Sequence, residues 1–506
     1  MPLENIKRAL LCKHCQECYI LRADYFCNID GCDCTEEKEF ETILDLYAFL
    51  YRSLDNMNYT DYETLSWRDT DKVEHARVSL DRRWQSHNRH TKSAYRHKMY
   101  ITLQEDTRAF FMDEIARCAS LEDVLIFLVQ FLQQLDQHLL HLKNNYMNFH
   151  RYELPIQSKY GLLIYKRDSE LREALKGHPA SRSFPDPNYL LLRRKVKHFF
   201  VARANYRYYE VRHQYVKTPD FSIENVLDLK LGLLPGMFHA GRDYIFKIDH
   251  TLTDEGLLPF YFAGVHHPEQ YYSNVMELYR DMLKKQPHII MLPELFTPPP
   301  LREALITEVR AALEATREAS SPFFLLTGSF HEEQEGHIYN LAHVVASDGE
   351  VLLEVSKMNR FIFPRDEQYD DERSYFTKYD GVEKNAYDRR MITLFETSLG
   401  RIAFLICVDF INDNIQDILL DRQVDLVFIM AMTSRPGSGK FVRKMQELAE
   451  RNACIVVLCN NLGSPDMSAS RAVISLPGFK HVYQTDQAML VVTLNEVIQE
   501  ITKPST

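Results

Sequence analysis

Two spacings of apolar residues divide the chain. In "FETILDLYAFLYRSL" and in "RAFFMDEIARCASLEDVLIFLVQFLQQLDQHLLHL" they recur every three or four positions, the spacing of helices with one buried face. No glycine lies between Gly31 and Gly161, which suits long helices with short connections. A loop rich in proline and serine follows, "KGHPASRSFPDPNY". The next stretch, "YLLLRRKVKHFFVARANYRYYEVRHQYVK", reads as another helix. These segments predict a mainly helical domain over residues 37–220, behind a cysteine-rich head at 1–36.

The texture changes near Thr218. Short β-type runs then alternate with helical ones: "FYFAGV", "YYSNVMELYRDMLKKQ", "HIIMLPE", "LREALITEVRAALEATREA", "FFLLTGSF". The tail continues with "RIAFLICVDF", "VDLVFIMAM", "KFVRKMQELAERN" and "ACIVVLCNN". Alternating strands and helices predict a layered α/β domain over 240–500. No internal repeat or low-complexity tract interrupts either part.

Three of the β-type runs end in chemistry. "HIIMLPE" places Glu294 just past an apolar run, "VLLEVSK" places Lys357 at the end of another, and "IAFLIC" ends in Cys407. Functional groups gather at strand ends in layered α/β folds, where loops shape a pocket. A thiol is only partly ionised at neutral pH; a nearby ammonium favours its thiolate, and a carboxylate can take its proton. Plainer readings exist for each residue alone. Cys407 could be core, Glu294 could cap a helix beginning near Pro300, and Lys357 could be a solvated turn residue.

Order and local sequence favour the joint reading. "IIMLPEL", "VSKMNRFIFPRDEQYDDERSYFTKYDG" and "FLICVDF" are followed by "MQELAERNACIVVLCNNLG" and "SASRAVISLPG". In these blocks the C-terminal half resembles the nitrilase superfamily of carbon–nitrogen hydrolases; the first 220 residues do not. The resemblance implies an α-β-β-α sandwich and hydrolysis of a non-peptide carbon–nitrogen bond (amide, carbamoyl or nitrile) through a cysteine thioester. It implies Glu294 as general base and acid, Lys357 as oxyanion stabiliser, Cys407 as nucleophile and the Val408 backbone N–H as second oxyanion donor. A second glutamate is expected at Glu372, in "DERSYF", with Glu367 as the competitor. The resemblance further implies self-association through the C-terminal domain, and no cofactor for catalysis.

The chain departs from the family's usual pattern in places. Val408 stands where an aromatic residue is frequent, "FINDN" replaces the frequent Arg-Phe-Pro-Glu, and Arg451 precedes Asn452 where glutamate is usual. "SRPGSGKF" imitates a phosphate loop, but Phe441 follows Lys440 and Ser434 sits where the first glycine belongs. That loop is expected to border the pocket, with Ser434 or Arg435 contacting substrate.

Cysteine placement and charge complete the reading. Six of the ten cysteines lie between Cys12 and Cys34, too clustered for a disulfide scaffold. Cys15, Cys18, Cys32 and Cys34 are the expected ligands of a structural zinc, with Cys12, His14 and Cys27 as spare candidates and metal-free reduced cysteines as the alternative. The net charge of −11 among 506 residues gives no global case for nucleic-acid binding. Two local segments are basic: Lys72–Tyr100 holds eight lysines and arginines against two acids, and Tyr189–Lys217 holds eight against Glu210 alone. The second interleaves Phe199, Phe200, Tyr206, Tyr208, Tyr209 and Tyr215, a pattern that can hold phosphates and stack bases, or simply mark a core stripe with solvated charges. The start, "MPLENIKRALLCKHC", does not read as a signal peptide, and no apolar run approaches membrane-spanning length. A cytoplasmic enzyme with a small amide-type substrate is the expectation. The rival is a nitrilase-fold binding or effector protein in a multi-protein system such as anti-phage defence, its N-terminal region recognising nucleic acid or protein.

Overall fold

The computed structural model describes residues 41–56, 78–80, 82–84, 105–146, 155–166, 169–181, 192, 196–218, 225–237, 243–316, 322–363, 379–386, 388–433, 439–462 and 470–503. The cysteine-rich head, with Cys15, Cys18, Cys32 and Cys34, lies outside them, as do Glu367, Glu372, Ser434 and Arg435. Among the described residues no helix is long and apolar enough to cross a membrane. None of their His, Cys, Asp and Glu side chains group to hold a metal ion.

The chain forms two compact units. One comprises 1–167 and 188–205, the other 168–187 and 206–506. In the first, helices α1 (Ile43–Asn56), α2 (Glu105–Arg117) and α3 (Leu121–Tyr146) share a core with a small antiparallel sheet. Its strands run β1 (Ile156–Ser158), β2 (Gly161–Tyr165) and β3 (Phe199–Ala202) in that order. Asp136 ties helix to sheet: its carboxylate accepts from the backbone N–H groups of Lys197, His198 and Phe199 at 2.7, 2.9 and 2.9 Å.

The second unit holds two large sheets. The six-stranded one runs β12 (Val351–Ser356), β11 (His337–Val345), β10 (Phe324–Gln334), β9 (Ile289–Met291), β5 (Lys230–Leu233) and β21 (Leu490–Thr493). The larger runs β20 (Tyr483–Thr485), β19 (Ala472–Ser475), β18 (Ile455–Leu462), β17 (Leu426–Met432), β16 (Gly400–Ile406), β15 (Met391–Thr397) and β4 (Glu210–Tyr215), with β6 (Gly236–Met237) also on β18. A four-stranded sheet runs β13 (Ile362–Phe363), β14 (Gly381–Glu383), β8 (Leu258–Val265) and β7 (Tyr244–Ile248).

Side-chain alternation stacks the layers. On β9, Ile289 and Met291 enter the core shared with the larger sheet, where Phe324 packs on Phe395 and Phe404. Ile290 points the other way, into a core with α5 (Pro268–Leu283) and α6 (Pro299–Thr316). β16, parallel to β17 and antiparallel to β15, is buried at every position, as a strand covered on both faces must be. Helices α8 (Asp413–Asp421) and α9 (Lys440–Asn452) pack against the larger sheet, and α10 (Leu494–Thr502) opens with a Thr493–Glu496 capping box. A two-residue turn joins β10 to β11, with positive φ at both Glu335 and Gly336, the hairpin geometry that matches strand twist.

The structure corrects one reading. The helix expected over Tyr189–Lys217 is not what most of its described residues form: Phe199–Ala202 make β3, in the first unit, and Glu210–Tyr215 make β4, in the second. Phe199, Phe200, Val201 and Ala202 are all buried, and aromatic and β-branched residues suit a pleated sheet. The region read as mainly helical therefore carries a three-stranded sheet. The α/β unit reaches back to α4 (Glu170–Gly177), β4 and β5, all before residue 240.

Candidate active site

The chain after β9 is pinned by close backbone contact. Ser329 N–H donates to the Pro293 carbonyl at 3.1 Å, and Asn461 Nδ2 donates to the Glu294 carbonyl at 3.2 Å. Gly328 makes this approach feasible: its φ is +75°, and a Cβ there would stand 2.5 Å from the Pro293 oxygen. Glu294 is thereby turned inward from the strand end and is buried.

Lys357 follows β12 directly. Its N–H donates to the Asn340 carbonyl at 2.9 Å, and its carbonyl accepts from Asn385 Nδ2 at 2.6 Å. Its Nζ lies 2.7 Å from Glu294 Oε1 and 2.5 Å from Glu383 Oε2. Cys407 follows β16, with its N–H donating to the Met430 carbonyl at 2.8 Å. Its backbone has φ 49° and ψ −112° before the short helix α7 (Val408–Ile411). That conformation, rare for a residue with a Cβ, costs on the order of 1–3 kcal/mol and aims the side chain out of the strand line. The thiol donates to the Met432 carbonyl at 3.9 Å, and the Met432 N–H donates to Glu294 Oε2 at 2.9 Å.

Asp409 joins the lysine and cysteine segments. Its carboxylate accepts from the Met358 and Asn359 N–H groups at 2.9 and 2.8 Å, and from Asn359 Nδ2 at 2.7 Å. Tyr209 OH donates to Asn359 Oδ1 at 3.0 Å, backing the turn.

Sequence reasoning missed Glu383, Asn340 and His331. Asn340 Nδ2 donates to both Glu294 Oε1 and Glu383 Oε1, at 3.1 and 2.9 Å. His331 Nε2 lies 3.1 Å from Glu383 Oε1. Glu383 ends a three-residue strand inside "DGVEKNA", where no apolar run advertises it. Of the residues singled out from sequence, Glu294, Lys357 and Cys407 are brought together, with Val408 beginning the turn after the thiol. Cys454 and Cys459 are wholly buried in the core, as expected of the run "ACIVVLC".

The charges follow from these contacts. Burial and the Glu383 charge push Glu294 above the usual carboxylate range, against the pull of Lys357. Burial works against charge on Glu383 too, but Lys357 and His331 outweigh it and hold the carboxyl well below its ordinary value. Burial opposes the Lys357 charge, yet Glu294 and Glu383 raise it well above the usual lysine value. The Cys407 thiol is driven up by burial and by Glu294, so it rests protonated. Asp409 is pushed up to about 7 by burial, against its N–H donors. The result is a neutral thiol that feels the more basic of two carboxylates, with a fixed cation beside them.

Residues 265–491 match the family model described as carbon-nitrogen hydrolase. Comparison with curated proteins gives no match. Similar solved structures include an amidase from Nesterenkonia sp., at 12% identity and TM-score 0.32, covering 54% of this chain and 93% of that one. A cysteine-to-alanine mutant of the Nesterenkonia AN1 amidase from the nitrilase superfamily gives 12% identity and TM-score 0.35, covering 54% and 94%. A mutant of the same amidase in complex with butyramide gives 13% and 0.32, again covering 54% and 94%. Residues 265–491, in the C-terminal half of the chain, are thus a carbon–nitrogen hydrolase domain.

Proposed function

We propose that this domain hydrolyses a non-peptide carbon–nitrogen bond, in an amide or carbamoyl substrate, through a thioester on Cys407. The observation that carries the reading is the placing of Lys357 Nζ between Glu294 and Glu383, with the Cys407 thiol 3.9 Å from the carbonyl of Met432, whose N–H donates to Glu294. Glu294 takes the thiol proton as Sγ attacks the carbonyl carbon, and the C=O π pair moves onto oxygen. Lys357 Nζ and the Val408 N–H stabilise that oxyanion. Glu294 returns the proton to the departing nitrogen, the C–N bond breaks, and the thioester and free amine remain. Water then attacks the thioester and gives a proton to Glu294. Collapse of the second oxyanion breaks the C–S bond, releases the acid, and the departing thiolate recovers its proton from Glu294.

A screen of amides, ureido acids and nitriles by mass spectrometry tests the reading, with wild type and Cys407→Ala side by side. The expected result is at least one substrate converted by wild type and not by the variant. A substrate converted equally by both contradicts it.

A further inference from the structure

We propose that His331 is a positioning residue that keeps Glu383 as the ionised partner of Lys357, so that Glu294 alone carries the proton that moves. This rests on the reading above and extends it to a residue that touches none of the reacting atoms.

Two carboxylates with identical contacts would share the proton. Here most contacts are shared. Lys357 Nζ and Asn340 Nδ2 each reach both Glu294 and Glu383. Two contacts are not shared: His331 on Glu383, and the Met432 N–H on Glu294 Oε2 at 2.9 Å.

Backbone geometry sets which way His331 donates. The Phe262 N–H on β8 donates to His331 Nδ1 at 3.2 Å, so a neutral ring carries its hydrogen on Nε2, the atom facing Glu383. The ring is held in place by Phe262, stacked at 5.9 Å and 17°, and by Tyr261, edge-on at 6.5 Å. Three strands thus converge: β10 supplies His331, β8 its orientation, and β14 the carboxylate. The side chain is fully buried, so no solvent proton competes at Nε2. The charged and titratable groups facing the pair are Lys357, Glu294 and Cys407, with Asp409 beyond Lys357 and Tyr244 beyond Glu294. The opposite displacements of Glu294 and Glu383 agree with this division.

Alkylation of Cys407 by iodoacetamide tests the proposal without a known substrate. Its rate is read by peptide mass spectrometry across pH in wild type, His331→Leu and His331→Gln. Glutamine can still donate to Glu383 and accept from Phe262; leucine can do neither. In His331→Leu, Glu383 competes for the first proton taken up by the pair, and Lys357 then turns wholly to Glu294 and weakens it as a base. The acid limb should move up by about one pH unit, the size of one charge-assisted hydrogen bond, and the plateau rate should drop roughly tenfold. His331→Gln should restore both towards wild type. An unmoved acid limb in folded His331→Leu overturns the proposal, as does a folded His331→Gln that behaves like leucine. Should His331→Leu fail to fold, ¹⁵N-histidine NMR of wild type decides. A neutral ring protonated at Nε2 supports the proposal; a ring protonated at Nδ1 overturns it. A wild-type Cys407 that resists alkylation at every pH would instead overturn the catalytic reading itself.

Discussion

Two buried charge clusters lie in the same α/β unit, and their construction differs. One surrounds Lys357. The other surrounds Arg401, whose Nε lies 2.6 Å from Glu396 Oε1, with His213 Nδ1 at 2.7 Å from the same oxygen. Arg401 N–H donates to Asp425 Oδ2 at 2.7 Å, while its guanidinium donates to the Arg422 and Gln423 carbonyls. Arg172 pairs with Asp425 at 2.6 Å. This second cluster ties the β15–β16 turn to the segment after α8. It uses arginine, whose rigid fork locks geometry and never gives up its proton. The Lys357 cluster uses lysine, a point charge that two carboxylates can share, and places a thiol beside them. Burial of charge is common to both; of the two, the Lys357 cluster alone pairs it with a thiol and with a carboxylate held above the usual range. The difference separates a fastener from a site.

Glu294→Gln should break the catalytic cluster most severely, slowing acylation by roughly 10²–10⁴-fold while sparing the fold, because glutamine keeps the shape but takes no proton. Rapid-quench mass spectrometry on any substrate found in the screen reads this. Lys357→Met should act on the same step by about 10²–10³-fold, the loss typical of one oxyanion donor. It should also lower the melting temperature, since two buried carboxylates are left face to face.

The second cluster should respond in stability alone. Arg401→Met takes the permanent cation from buried Glu396 and should cost about 3–5 kcal/mol in urea unfolding, with Cys407 alkylation unchanged in the folded fraction. His213 sharpens the contrast through pH. Burial pulls it down to about 4, so the unfolded chain binds its proton more readily than the folded one. Its contribution is present above the ordinary histidine value, about 6.5, and is lost as pH falls towards 4. Wild type should lose up to roughly 3 kcal/mol more than His213→Asn across that window. Equal slopes for the two proteins would remove His213 from the account. The smallest effect belongs to Tyr209→Phe, which removes the donor to Asn359. It should cost about 1 kcal/mol of stability and less than tenfold in acylation.

Much of the site could be read from the chain because strand ends announce themselves. An apolar run that stops at Glu294, Lys357 or Cys407 marks both a strand and the residue just beyond it. The α6 start at Pro299 and the core placement of Cys454 and Cys459 were legible for the same reason. Glu383 was not, because its strand spans three residues and its partners arrive from β10, β11 and β12 through space. His331 sits inside an eleven-residue strand, where only the tertiary fold shows that its neighbour is a carboxylate. The helix expected over Tyr189–Lys217 failed because "FFVA" and "EVRHQY" are too short for their period to be distinguished. The same shortness hid that β4 joins the edge of the larger sheet beside β15.

The most direct test sets chemistry against exposure. Cys118 is 9% exposed and Cys407 only 4%. If access alone governs reactivity, iodoacetamide added to the folded protein modifies Cys118 first. If Cys407 is the nucleophile, with Glu294 to receive its proton and Lys357 to hold the resulting anion, Cys407 reacts well ahead of Cys118, and Glu294→Gln removes that lead. A time course by peptide mass spectrometry at neutral pH reads both. Faster labelling of Cys118, or a Cys407 rate untouched by Glu294→Gln, would contradict the account.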